Sequence, residues 1–213
     1  MAMSWLSGAF RSLVRAMRSR PSEDRTADAI VFGMGNIGAE YANTRHNIGF
    51  LVVDRFVREI DVVGRRRMCR ADVTVGRTQG GRRVACAKPV TFVNRSGRSV
   101  RELTGFFNRA PSECLVVVDD FHLASGRLRF RRQGSDGGHN GLKSVVEAVG
   151  TGFPRLRVGI GPLPEGTSTV DFVLGEFTVE EEERTRETVD RAAEAVGVFL
   201  DRGMEAAMST YNA

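Results

Sequence analysis

The chain has 213 residues, 41% hydrophobic and 27% charged, enough apolar material for one substantial core or a tight pair of domains. No apolar run approaches the ~20 residues of a membrane-crossing helix, which argues against a spanning role. The net charge of +5 is carried almost wholly by arginine, Lys88 and Lys143 being the only lysines. Arginine's planar fork suits phosphate, so a nucleic acid is the first partner to weigh, against the plainer reading of an arginine-rich codon usage.

Residues 1–27 stand apart as an Arg-rich amphipathic extension outside the core. Arg11, Arg15, Arg18 and Arg20 precede the first acid, Glu23, and Trp5, Leu6, Phe10, Leu13, Val14 and Met17 recur at helical spacing. A transit peptide, a surface helix that touches RNA or membrane, and a disordered extension stay open for it. Residues 28–213 form the expected domain. Ala29–Phe32 reads as a strand, residues 50–60 as a helix, Val73–Val75 and Val84–Ala87 as strands, and Ser99–Phe107 as a helix capped by Ser96. Leu115–Val118 reads as a buried strand, Leu128–Phe130 as a short one, Asn140–Val149 as a helix and Leu156–Ile160 as a strand. Thr178 with Glu181 makes a capping box before a final helix, whose apolar face is Val189, Ala192, Ala193, Val196, Phe199 and Leu200. The alternation predicts a single-domain α/β three-layer sandwich around a mixed, partly parallel sheet. The three cysteines show no paired spacing. Cys86 and Cys114 sit in strand-like runs and read as reduced core residues, which fits a cytoplasmic compartment unless residues 1–27 direct the chain to an organelle.

Gly33-Met-Gly35-Asn36-Ile37-Gly38 matches the dinucleotide fingerprint G-x-G-x-x-G, with Asp54 about 20 residues on. The context is wrong, because no helix opens at the third glycine and Asp54 falls inside a helix. A tight turn presenting Asn36 is the better reading. His46 follows in the polar segment Thr44-Arg45-His46-Asn47, where an imidazole can serve as general base. Asp119-Asp120 ends the most apolar strand, where α/β folds place their sites. A carboxylate there can fix a histidine tautomer or simply cap a turn. Asn94 leaves a strand just before a helix; it can bind a carbonyl or be a plain turn residue. Gly134–Gly141 holds His139 and Asn140 at a helix start, with Arg127, Arg129, Arg131 and Arg132 upstream and Arg155 and Arg157 downstream. That pattern suits a phosphate site, or a solvated strand face. No cluster has metal-ligand spacing, and neither a P-loop nor a serine-nucleophile elbow is present.

The segments GMGNIGAEYANTRHNIGF, KPVTFVNRSG, VVVDDFHLASGRLRFR, GSDGGHNGLKSV, FPRLRVGIG and DFVLGEFT, in this order, resemble the bacterial-type peptidyl-tRNA hydrolases from about Ala29 to the end. The resemblance implies a monomer that needs no cofactor or metal. It would hydrolyse the ester joining a peptide to the 3′ end of tRNA, so its partner is peptidyl-tRNA. It makes His46 the base and Asp119 its orienting group. It places substrate contacts at Asn36, Tyr41, Val93, Asn94, His139 and Asn140, and a tRNA phosphate at Arg131 and Arg157. Ile37, Val93, Asp120, His122 and the turn Leu123–Gly126 depart from the family pattern, which touches peptide contacts and loop rigidity rather than the chemistry. The competing readings are an RNA-binding protein on the same fold and a nucleotide-dependent oxidoreductase built on Gly33–Gly38.

Overall fold

The computed structural model describes residues 25–212. Most of the extension lies outside them, although Ala27, counted with it above, is buried in the core. The strands are β1 (Ala29–Gly33), β2 (Asp61–Met68), β3 (Ala71–Arg77), β4 (Arg83–Pro89), β5 (Cys114–Ala124), β6 (Leu128–Arg131) and β7 (Arg155–Gly161). The helices are α1 (Ile48–Val57), α2 (Ser96–Phe107), α3 (Asn140–Val149), α4 (Thr169–Leu174) and α5 (Val179–Tyr211), the last broken at Gly203. No helix among the described residues is long and apolar enough to cross a membrane.

The seven strands form one sheet in the order β2-β3-β4-β1-β5-β7-β6. β4, β1, β5 and β7 run parallel at its centre, and antiparallel partners flank them. Strands buried on both faces need no polar alternation, which is why β1 reads as the continuous run AIVFG and is buried throughout. One face packs Val31, Cys86 and Val117 against α1 and α5; the other packs Phe32, Ala87 and Val116 against α2 and α3. These two cores make the three-layer sandwich.

β1 continues into α1 on one face, and its neighbour β4 continues into α2 on the other. A crevice therefore opens past the carboxyl ends of these strands, where such folds bind their ligands. Gly33 at the end of β1 and Gly49 in the first turn of α1 allow the close approach of the two elements. A Cβ on Gly49 would lie 2.6 Å from backbone atoms of Met34 and Val117, and one on Gly33 would lie 2.5 Å from the Gly49 carbonyl oxygen. The dinucleotide reading of Gly33–Gly38 thus lacks its helix, since α1 begins only at Ile48.

Ser96, expected as a cap, is the first residue of α2 and lies fully buried. Cys86 and Cys114 are buried free thiols, and desolvation pushes both up, Cys114 to about 12. The capping box at α5 forms, with the Thr178 amide donating to Glu181 Oε2 at 2.8 Å.

Candidate active site

His46 lies on a 3₁₀ turn, Arg45–Asn47, that opens α1, and it is 7% exposed. Three contacts hold this turn. The Arg45 amide donates to the Gly175 carbonyl at 3.0 Å. The Arg45 guanidinium pairs with Glu181 at 2.6 Å and lies over the rings of Phe172 and Phe177. Asn47 grips the backbone of Asn36: its Oδ1 accepts from the Asn36 amide at 2.8 Å, and its Nδ2 donates to the Asn36 carbonyl at 3.0 Å. Asn36 Oδ1 in turn accepts from the Val93 amide at 2.9 Å, which joins the turn after β1 to the turn after β4.

Asp119, near the end of the buried stretch of β5, has a side chain only 1% exposed. One of its oxygens, Oδ1, is 3.0 Å from His46 Nδ1 and 3.0 Å from His139 Nε2. The two rings lie 4.9 Å apart between centroids. His139 is the N-cap of α3, and its Nδ1 accepts from the amides of Gly141 and Leu142 at 3.0 and 3.2 Å. That capping bond keeps its ring proton on Nε2, directed at Asp119. His46 donates through Nδ1 to the same oxygen, so its Nε2 carries the free lone pair. Burial penalises the Asp119 charge, but both imidazoles and their hydrogen bonds outweigh it and hold the carboxyl well below the usual range. For His46, burial pulls its pKa down, and the Asp119 charge and hydrogen bond more than reverse this.

Two cavities flank the cluster. One, of about 280 Å³, is lined by Asn36, Phe92, Val93, Asn94, Arg95 and Asn140. The other, of about 170 Å³, lies beside Asp119 and His139 and takes in Asp120, Arg131, Arg155 and Arg157. The residues singled out in the sequence therefore sort themselves. His46, Asp119 and His139 touch. Asn36, Val93, Asn94 and Asn140 share one cavity, and Arg131 and Arg157 share the other. Tyr41 lines neither; it closes the 3₁₀ turn Ala39–Tyr41, where its carbonyl accepts from Thr44 Oγ1.

Two expectations need correction. The amides at the start of α3 are occupied by His139, so the helix terminus itself is not an open anion site. Arg155 is not a free phosphate contact either. It is 2% exposed, stacks on Phe153 and donates to the carbonyls of Ser135 and Thr151, bracing the loop between β6 and α3.

The family model for peptidyl-tRNA hydrolases matches residues 30–213. The chain belongs to the peptidyl-tRNA hydrolase family. A peptidyl-tRNA hydrolase of Thermotoga petrophila is 45% identical over 184 residues, covering 86% of this chain and 96% of its own. One from Elusimicrobium minutum is 41% identical and covers 86% of this chain and 98% of its own. The crystal structure of the peptidyl-tRNA hydrolase from Acinetobacter baumannii superposes with a TM-score of 0.80 at 31% identity, covering 92% of this chain and 97% of that one.

In this member of the peptidyl-tRNA hydrolase family, folding also assembles what sequence spacing hid. His46, Asp119 and His139 bring ligand-type atoms within 4.8 Å of one another. Their nitrogens sit at hydrogen-bond distance around one oxygen, whereas zinc needs nitrogens at ~2.0–2.1 Å and would have to displace both bonds. The residues fit a hydrogen-bonded relay better than an ion. Arg45 and Asn47 were passed over as neighbours of His46; their flanking position was the available signal, but their partners lie 11 to 136 positions away.

Proposed function

We propose that this chain hydrolyses the ester between a peptide and the 3′ end of tRNA, with His46 as general base for water and Asp119 as its orienting group. The observation that carries this is the placement of His46 Nδ1 on Asp119 Oδ1 at 3.0 Å in a peptidyl-tRNA hydrolase family member, which leaves Nε2 free. Nε2 takes a proton from water as the oxygen attacks the ester carbonyl. The resulting imidazolium is stabilised by Asp119 and returns the proton to the departing ribose oxygen.

Charge develops on the former carbonyl oxygen in the transition state, and Asn94 or Asn140 supplies amide donors to it. Asn36, its amide fixed by Val93, binds a substrate carbonyl beside them. Arg131 and Arg157 hold an RNA phosphate in the adjoining cavity. Amides for the peptide thus stand beside guanidiniums for the RNA, as a substrate of mixed chemistry requires. The reading is tested by incubating the purified chain with an N-blocked aminoacyl-tRNA and resolving the products. Free tRNA and a free carboxylate are expected; an ester left intact overturns it.

A further inference from the structure

Successive residues of a strand face opposite ways, and β5 divides its two acids accordingly. Asp119 turns to His46 and His139. Asp120 turns to Arg157, whose Nη2 lies 2.5 Å from Asp120 Oδ2. Asp120 is 5% exposed, and its Oδ1 accepts from the His122 amide at 2.9 Å. Its Oδ2 is buried and has no hydrogen bond of good direction, and it is the oxygen that pairs with the Arg157 guanidinium. The Arg157 side chain is 27% exposed and faces the 170 Å³ cavity together with Arg131. One guanidinium is therefore paired with a buried carboxylate on the wall of the same cavity in which a phosphate would sit.

We propose that Asp120 is a positioning residue that aims Arg157 at the cavity and at the same time weakens its hold on an RNA phosphate. This rests on the reading of the cavity as the phosphate site of peptidyl-tRNA. Deacylated tRNA, the product, carries the same phosphates as the substrate. A phosphate contact binds both alike, so strengthening it lowers KM without helping the chemistry and delays product release. A buried carboxylate paired with the guanidinium repels the arriving phosphate and shares its counter-charge. The contact then guides the RNA in without retaining it.

Asp120→Asn keeps the side-chain shape and the acceptor for the His122 amide but removes the charge. The test titrates deacylated tRNA against the full chain by fluorescence anisotropy at fixed salt. Kd is expected to fall roughly fivefold or more in Asp120→Asn and to stay near the parent value in Asp120→Glu. In an Arg157→Met background, Asp120→Asn is expected to leave Kd unmoved. During turnover, Asp120→Asn lowers KM and, with product release slowed, kcat as well. A Kd that is unchanged or higher in Asp120→Asn overturns the proposal, as does tightening that persists without Arg157 and so reflects bulk charge alone. The Asp120→Asn, Arg157→Met double variant removes both partners and avoids a lone buried charge, so a thermal melt separates misfolding from binding. A chain that hydrolyses peptidyl-tRNA while Kd stays put refutes this inference alone; a chain that leaves the ester intact refutes the function on which it rests.

Discussion

His46 and His139 both donate to Asp119 Oδ1, yet the sequence set them apart as a base and a loop histidine. The resemblance paired His46 with Asp119, and the two lie 3.0 Å apart; residue context alone left Asp119 open between fixing a histidine and capping a turn. The His139 contact was not, because it depends on an N-cap bond that only the folded loop creates. The pair has consequences for pH. As a base His46 must be unprotonated, so kcat/KM is expected to climb with pH along a limb lying above the ordinary imidazole value of about 6.5. Asp119→Asn removes the charge that raises His46, keeps at most a neutral acceptor for its Nδ1 and leaves burial, so the limb should move to lower pH; a limb that stays in place contradicts the assignment. Stability follows from the same shifts. Protonated His46 contributes stability that is fully present below about 6.5 and lost as pH rises through its raised folded value. Ionised Asp119 contributes stability present above about 3.9 and lost as pH falls toward its depressed folded value. The melting-temperature gap between parent and Asp119→Asn should therefore be widest between about pH 4 and 6.5. A gap that is flat across that range and beyond it contradicts the coupling.

At the scale of elements, α1 is placed by contact with glycine rather than by hydrophobic burial alone. Gly49→Ala sets a Cβ against three backbone atoms of Met34 and Val117, which cannot swing aside. It is expected to cost about 1–3 kcal/mol or more, read by denaturant unfolding, and to lower turnover because His46 is carried on the turn before α1. Near-parental stability contradicts this packing. The central strands and most helices were legible because each has a buried face with the right period. β2 was missed because its run Arg65-Arg66-Arg67 shows no apolar alternation; among the described residues it is an edge strand paired only with β3. Its turn is also unmarked. Cys69 and Arg70 both take positive φ, 50° and 56°, where a hairpin usually signals itself with Asn or Gly. α4 was missed as well, being short and without a buried residue.

Across the whole molecule, the arginine excess resolves by position. Arg155 is buried in a brace, Arg45 locks the His46 turn to α5, and Arg132 pairs with Glu205, whereas Arg131 and Arg157 face a cavity. Composition pointed to a polyanion, but only the fold separates the arginines that face a cavity from those that brace the structure. Arg131→Ala is expected to weaken tRNA binding and to flatten the plot of log affinity against log salt by roughly 0.7–0.9, the share of one phosphate contact. An unchanged slope places the phosphate elsewhere.

In the proposed reaction His46 does the chemistry while other residues hold the RNA. Single-turnover release of tRNA from an N-blocked aminoacyl-tRNA, measured for the parent and for His46→Ala with tRNA affinity determined alongside, tests it most directly. The rate should fall by roughly 10²–10⁴-fold with Kd for tRNA little changed. A His46→Ala chain that releases tRNA at close to the parental rate contradicts the account.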